Sequence, residues 1–180
     1  MEEKINVSDY LLDAENESPA LYVGTYAKYN AGSIYGAWID LAKCSSFDEF
    51  LDVCNALHSD ENDPELMFQD FMYFPEDWYS ESFLDEDTFD RIISYANLDA
   101  DDQQIYDAYM LLTRNAKADW DDVTDAYIGH FNSPVDYAWQ VIEEQYGNND
   151  FIMRYIDVEK YASDLFDDYS FQDGYVFYIQ

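Results

Sequence analysis

Residues 60–102 read DENDPELMFQDFMYFPEDWYSESFLDEDTFDRIISYANLDADD and combine dense negative charge with many aromatic side chains. Fifteen of these positions are Asp or Glu, and Arg91 is the only base among them. A disordered acidic tail lacks such apolar content, because it has nothing to bury. The aromatic residues between the acids are Phe68, Phe71, Tyr73, Phe74, Trp78, Tyr79, Phe83, Phe89 and Tyr95. The stretch therefore predicts a folded scaffold that holds negative charges at fixed positions.

The whole chain shares this charge imbalance. Its 180 residues include 40 acids and 8 bases, which gives a formal net charge of −32. Repulsion of this size works against a compact state and is screened by salt. Hydrophobic residues make up 48% of the chain, which is enough to build a core. The charge disfavours nucleic acid and anionic membranes as partners and favours basic protein surfaces.

No export or membrane segment is visible in the sequence. There is no run of 18 apolar residues that would predict a transmembrane helix. The acidic N-terminus lacks the apolar stretch of a signal peptide. We therefore expect a cytoplasmic protein of a bacterium, in which Cys44 and Cys54 are reduced core residues rather than a disulfide.

The first third of the chain predicts a small sheet with one helix. Residues 20–26 and 34–41 are rich in strand formers, and Lys28–Ser33 between them is predicted to turn, giving a hairpin. Ser46 and Glu49 have the spacing of a capping box at a helix start. The predicted buried face of that helix comprises Phe47, Phe50, Leu51, Cys54 and Leu57.

The middle of the chain predicts one strand at 66–74 and then three helices. The helices are expected at 86–96, at 101–113 and from Asp119 onward. The predicted buried face of the first helix is Phe89, Ile92, Ile93 and Ala96. That of the second is Ile105, Ala108, Tyr109 and Leu112, and that of the third is Trp120, Val123 and Tyr127.

The last third predicts a mixed αβ segment. A short strand is expected at 126–131, followed by a helix at 134–146 with Ser133 as its N-cap. A further helix is expected near 157–167, and the turn signal at 173–174 predicts a closing hairpin. The residues predicted to be buried in these helices are Ala138, Trp139, Ile142, Val158, Tyr161, Ala162 and Leu165. Together the elements predict an α+β fold.

Motifs for catalysis and metal binding are absent from the sequence. The best calcium-loop candidate starts at Asp99 but has Gln104 and Met110 where an EF-hand needs Gly and Glu. His58 and His130 lack ligand spacing with each other or with the cysteines, so we expect no zinc site. We predict no catalytic residue and no cofactor. An acid-rich hydrolase is the enzyme alternative, and it would need a pocket of acids with raised pKa.

Acids cluster at the starts of the three predicted helices and in the loops between them. Acids in a first turn favour the positive end of the helix dipole, but this explains only one or two per helix. We predict that the surplus forms a partner-binding surface that imitates DNA phosphates. The predicted surface comprises Asp60, Glu61, Asp63, Asp70, Glu76, Asp77, Glu81, Asp85, Glu86, Asp87, Asp99, Asp101, Asp102, Asp107, Asp119, Asp121, Asp122 and Asp125.

Two other interpretations of the acidity stay open at this point. A halophilic or merely very soluble protein also carries excess Asp and few Lys, and its stability would climb steeply in molar salt. An acidic module that binds another basic DNA-binding or nucleoid protein would have the same composition.

Two segments resemble the ArdA antirestriction proteins. Near the N-terminus, Leu21–Leu41 contains Lys28-Tyr29-Asn30 with Gly32, and then Gly36-Ala37-Trp38, which is similar to the opening of that family. Near the C-terminus, Tyr155-Ile156-Asp157 followed by Tyr161, Asp164 and Leu165 resembles the family pattern. The final Phe177-Tyr178-Ile179 is similar as well. The resemblance spans residues 20–180.

The resemblance implies a protein from a mobile element that inhibits type I restriction-modification enzymes. It implies an elongated homodimer that imitates bent B-form DNA, occupies the DNA-binding groove of the enzyme and dimerises through its C-terminal part. It also implies three subdomains in a row, which we place at 19–82, 83–118 and 119–180. Residues 1–18 are an extension outside the resemblance.

Overall fold

Two antiparallel three-stranded sheets, each accompanied by helices, form the framework of the chain. The structure is a computed structural model and describes residues 5–147 and 150–179. The chain clusters into two units, Met1–Asp99 and Ala100–Gln180. The α+β fold class predicted from the sequence is confirmed.

The division into three subdomains, at 19–82, 83–118 and 119–180, stays a prediction, whereas the structure groups the chain into two units. Within the described part of the chain, every helix is too short or too polar to cross a membrane.

The central strand of the first sheet is β1 (Ala20–Thr25), which pairs with β2 (Ala37–Asp40) and β3 (Leu66–Met72). Both pairings are antiparallel, and Ala20 lies opposite Asp40 on one side and Met72 on the other. All residues of β1 except the half-buried Tyr22 are buried. The strand is therefore the fixed centre of the first unit.

The connection from β1 to β2 begins with a short helix, α1 (Tyr26–Asn30), and then turns, so the turn predicted at Lys28–Ser33 covers only the second half of that stretch. Thr25 caps this helix by accepting a hydrogen bond from the backbone N–H of Lys28 at 3.2 Å. Thr is a favoured N-cap residue, because its hydroxyl satisfies a free N–H of the first turn. The predicted pairing of the two strands is confirmed, although a helix joins them.

Strand β2 is shorter than the predicted 34–41. Ile34 and Tyr35 lie outside the sheet, and 81% of Ile34 is exposed. Gly36 follows them, and a Cβ at this position would lie 2.4 Å from the carbonyl oxygen of Val23. Only glycine permits so close an approach of two backbone segments.

Helix α2 (Phe47–Leu57) begins where the sequence predicts. The Ser46 hydroxyl accepts a hydrogen bond from the Glu49 N–H at 3.2 Å. The predicted capping box is only half formed, because the Glu49 carboxylate accepts hydrogen bonds from the N–H and hydroxyl of Ser45. The buried residues of α2 are Phe50, Val53 and Cys54.

An aromatic cluster around Phe50 joins three elements of the first unit. The Phe50 ring centroid lies 6.0 Å from that of Phe68 on β3 and 6.0 Å from that of Phe89 on α3 (Glu86–Ala96). Phe47 lies 5.9 Å from Phe89 in the same cluster. Helix α3 therefore packs against the first sheet and its helix.

The N-terminal segment covers the outer edge of β2. Leu11 forms an antiparallel bridge with Ile39, and the N–H of Asp40 donates to the Tyr10 carbonyl at 2.9 Å. The Tyr10 hydroxyl donates to the Glu49 carboxylate at 2.6 Å. A covered edge cannot pair with the strand of another molecule, so this segment protects the sheet.

The second sheet has the order β4-β6-β5, with β4 (Tyr127–His130), β5 (Tyr169–Gln172) and β6 (Tyr175–Tyr178). The helices of this unit are α4 (Ala100–Thr113), α5 (Trp120–Ala126), α6 (Pro134–Tyr146), α7 (Asp150–Met153) and α8 (Val158–Leu165). The helices and the strand predicted for this part of the chain are confirmed within a few residues.

The predicted closing hairpin is confirmed. Asp173 and Gly174 join β5 to β6 and have φ angles of 52° and 91°. Positive φ at both central residues is the geometry of a two-residue turn that matches the twist of the strands. Glycine suits position 174 because side chains rarely adopt a φ of 91°.

Helical spacing predicted some buried residues wrongly. In α3, Tyr95 is buried instead of Ile93 and Ala96, because its ring packs against Trp78 with centroids 5.4 Å apart. In α4, Tyr106 and Met110 are buried, whereas Tyr109 and Leu112 are half-buried. In α6, Tyr137 is buried and Trp139 half-buried, and in α8 only Ala162 is fully buried.

The two cysteines are free thiols in the first unit, as predicted. Cys44 and Cys54 are both buried. Burial raises the pKa of Cys44 to about 12 and that of Cys54 well above its usual value. Both thiols are therefore protonated at neutral pH and serve as packing residues.

We predict that Phe50→Ala destabilises the first unit by about 3–5 kcal/mol, the usual cost of removing a buried Phe side chain. Phe50 is fully buried and contacts the rings of two other elements. Urea unfolding followed by circular dichroism measures the loss. The matched control is Phe83→Ala, because 62% of Phe83 is exposed and little change is expected. Equal losses in both variants would contradict the assigned core.

Candidate partner-binding surface

Most of the eighteen acids predicted to bind a partner lie at the surface. Fifteen are exposed, and Glu61, Asp85 and Asp102 are half-buried. Eleven belong to the first unit, from Asp60 to Asp99, and seven to the second, from Asp101 to Asp125. Each unit therefore has its own set of accessible carboxylates.

Some of these acids fix helix starts. The Asp85 carboxylate accepts a hydrogen bond from the N–H of Thr88 at 2.9 Å and caps α3. Asp119 and Asp122 form a reciprocal capping box at α5, with bonds of 2.9 and 3.1 Å. The hydrogen bonds of Thr88 lower the pKa of Asp85, so its charged form is favoured. Capping explains these acids but not the others beside them.

Other acids in the first unit have no capping role. Glu76 and Asp77 lie in a short 3-10 helix, and Glu86 and Asp87 lie in the first turn of α3. All four are exposed. The N-terminal turn of a helix favours negative charge, which helps α3 to hold two extra acids.

Packed aromatic rings lie beneath the acids that follow β3. Phe71 stacks on Tyr79 with centroids 4.6 Å apart, and it also contacts Phe74 at 5.1 Å. The Tyr79 hydroxyl donates to the carbonyl of Phe68 at 2.6 Å. These contacts connect β3 to the segment that carries Glu76, Asp77 and Glu81.

Asp60 and Glu61 contact an ammonium group. Nζ of Lys28 lies 2.7 Å from Oδ1 of Asp60 and 2.8 Å from Oε1 of Glu61. It also lies 3.0 Å from Nδ1 of His58. The hydrogen bonds from Lys28 lower the pKa values of both carboxyl groups. No local sequence pattern predicts this cluster, since Lys28 is 30 residues away from His58.

The same cluster has the composition of a metal site. Among the described residues, His58, Asp60 and Glu61 form the one group whose metal-ligand atoms lie within 4.8 Å of one another. The ammonium of Lys28 occupies the space between them, at hydrogen-bond distance from all three. The protein therefore already supplies a cation to these three side chains.

The fold and its surface define a class of protein: an α+β protein with exposed carboxylates on a scaffold of capped helices and packed aromatic rings. A family model described as "Antirestriction protein (ArdA)" matches residues 21–177. The chain therefore belongs to the ArdA antirestriction family, and the resemblance seen in the sequence is confirmed. No match was found among curated proteins.

Membership of this family supports an antirestriction function. It indicates an inhibitor rather than an enzyme, and it indicates a restriction-modification enzyme as the partner. The N-terminal segment that covers β2 lies outside the matched residues.

We predict that the two roles of Asp85, as a cap and as a charge, can be separated by substitution. Asp85→Ala should destabilise the first unit by about 0.5–2 kcal/mol, because the N–H of Thr88 loses its acceptor. Asp85→Asn should cost much less, because Asn is an equally good N-cap. Thermal unfolding of both variants measures the difference, and a similar loss in both would show that charge rather than capping stabilises α3.

Proposed function

We propose that this protein inhibits type I restriction-modification enzymes by presenting fixed carboxylates to the groove that binds DNA. The observation that carries the proposal is the exposure of fifteen predicted acids, ten of which lie on helices or strands of the two units. Family membership supports the antirestriction part of the proposal. No catalytic step is required, because occupying the groove is sufficient to exclude DNA.

Charge spacing supports imitation of a duplex. B-form DNA carries one negative charge per about 1.7 Å of axis, counting both strands. Carboxylates four residues apart on a helix lie about 6 Å apart, which is close to the distance between successive phosphates on one strand. The net charge of −32 equals the bare charge of roughly 16 base pairs.

Rigid placement of the charges supports tight binding. A flexible acidic tail loses conformational entropy when it binds, whereas a preorganised surface has lost that entropy during folding. When the basic groove of the enzyme binds the carboxylates, the counterions around them would be released, as the counterions around phosphates are released when DNA binds. The capped helices and the packed Phe71–Tyr79 region supply this rigidity in our proposal.

We propose a homodimer that associates through the C-terminal part of the chain. Large apolar side chains are exposed in the second unit, and a patch of this kind suits association with another protein surface. The exposed side chains are those of Leu111, Ile128, Tyr146, Phe151, Tyr155 and Tyr178.

The test is cleavage of unmodified plasmid by a purified type I enzyme with this protein titrated in. We expect stoichiometric inhibition that weakens as salt is added and is relieved by competing DNA, because both ligands would use one groove. Absence of inhibition across several type I enzymes would contradict the proposal. It would favour an acidic module for another basic DNA-binding or nucleoid protein.

We predict a graded loss of inhibition when acids are neutralised in groups. The test variant combines Glu76→Gln, Asp77→Asn, Glu86→Gln and Asp87→Asn, all at exposed positions. Each lost phosphate-like contact weakens binding modestly, so the four changes together should raise the inhibitory concentration by about tenfold or more at physiological salt. Each single change should raise the inhibitory concentration by only a small fraction of that amount.

The control combines Glu15→Gln, Glu17→Gln, Asp164→Asn and Asp168→Asn, four exposed acids outside the predicted surface. Both variants change the formal net charge from −32 to −28, since four negative charges are removed. Equal weakening by both would show that total charge, rather than a defined surface, determines inhibition. Complete loss from one single change would indicate a specific site instead.

A further inference from the structure

We infer that Lys28 is a positioning residue whose ammonium group holds the His58–Glu61 segment in place, and that Asp60 and Glu61 stabilise the fold rather than bind the partner. The first part of this inference stands on the geometry of the cluster. The second part rests on the function proposed above, and it removes two residues from the predicted binding surface.

The ammonium of Lys28 has three acceptors at hydrogen-bond distance, which is the full capacity of its three N–H groups. They are Asp60 Oδ1 at 2.7 Å, Glu61 Oε1 at 2.8 Å and His58 Nδ1 at 3.0 Å. Burial opposes protonation of Lys28, but its hydrogen bonds to the two carboxylates outweigh this effect and raise its pKa. Lys28 is therefore a permanent internal cation.

The cluster ties together segments that are distant in sequence. Lys28 belongs to α1, whereas His58 ends α2 and the two acids follow it. The hydroxyl of Thr25, at the end of β1, donates to Oε1 of Glu61 at 2.7 Å. The aromatic ring of Tyr35 lies 4.9 Å from Nζ of Lys28 and covers one side of the cluster.

Accessibility separates these acids from the exposed ones. The side chain of Glu61 is only 18% exposed, and that of Lys28 is 15% exposed. The Asp60 side chain is 66% exposed, but its charge is balanced by an ammonium at 2.7 Å. A basic groove would have to displace Lys28 to use either carboxylate, so exposed acids without such a partner are the better ligands.

Burial and the ammonium of Lys28 favour the neutral form of His58. Its side chain is fully buried, and Nε2 lies 3.3 Å from the carbonyl oxygen of Val23. The tautomer that carries hydrogen on Nε2 donates to Val23 and leaves Nδ1 to accept from Lys28. A protonated ring would place two positive charges 3.0 Å apart. Burial is the main cause that lowers the pKa of His58, and the charge of Lys28 adds to it, while the hydrogen bond to the Val23 carbonyl and the charges of Glu61 and Asp60 oppose them.

A pH dependence follows from the lowered pKa of His58. In the window between that value and the ordinary value of 6.5, the unfolded chain binds a proton that the folded chain does not. Stability therefore falls as the pH drops through this window. The groups that face the imidazole are Lys28, Asp60, Glu61, Tyr35 and the Val23 carbonyl.

The first experiment is NMR titration of the two histidine side chains, with His130 as the internal control. In Lys28→Met the midpoint of His58 should rise by about one pH unit, because a positive charge is removed from hydrogen-bond distance. In Asp60→Asn it should fall, because a negative charge is removed. Lys28→Arg keeps the charge and should stay close to the original protein, and Lys43→Met should change nothing.

Opposite shifts in Lys28→Met and Asp60→Asn are a signature that a loss of packing would not produce. If Lys28→Met does not fold, the downward shift in Asp60→Asn tests the cluster in a folded protein. An unchanged His58 midpoint in folded Lys28→Met or in Asp60→Asn would overturn the inference.

The second experiment compares two double variants in the plasmid assay, each with a net charge of −30 because two charges are removed from −32. Asp60→Asn with Glu61→Gln should lower the melting temperature yet inhibit at the original concentration, measured below that temperature. Glu86→Gln with Asp87→Asn should weaken inhibition severalfold, and it should lower the melting temperature less than the first pair does. Equal weakening of inhibition by both double variants would overturn the second part of the inference, that Asp60 and Glu61 do not bind the partner. If the original protein does not inhibit, the proposed function fails, while the histidine titration still decides the role of Lys28.

Discussion

Burial of aromatic side chains has to outweigh the repulsion among closely spaced carboxylates, and the rest of the structure depends on this balance. The first unit meets the constraint with the Phe47–Phe50–Phe68–Phe89 cluster, which joins two helices to the sheet. A large aromatic ring buries about 150–250 Å², so a few of them supply much of the driving force for folding. Because that force comes from the interior, the acids can remain at the surface in water.

Local interactions then decide what each acid does. Asp85 and Asp119 satisfy the free N–H groups of helix starts, and Glu49 bonds to Ser45 and Tyr10. These hydrogen bonds lower the pKa of Glu49 to about 2, so the contact persists down to acidic pH. Asp60 and Glu61 surround an internal ammonium. Some of the acids thus serve folding, and their hydrogen-bond partners distinguish them from the exposed acids that we propose for recognition.

Under the function proposed above, this division would have a functional meaning. A partner that binds DNA reads charge at fixed positions, and many weak contacts share the affinity. Acids that are already neutralised by the protein add little to such a surface. Those on packed, capped elements, such as Glu86 and Asp87, present charge without the flexibility of a tail. Recognition would then tolerate single changes, while the capping and cluster residues would be sensitive through stability.

The sequence by itself determined the class of fold, most helix and strand positions, the free cysteines, the closing hairpin at Asp173-Gly174 and the family resemblance. These features depend on composition, local periodicity and turn chemistry, which act over a few residues. It did not determine the helix after Thr25, the half-formed capping box of Glu49 or the burial of Tyr95 against Trp78. Only the tertiary structure decided that Lys28 meets His58, Asp60 and Glu61, because the contact exists only after β1, α1 and α2 have packed together.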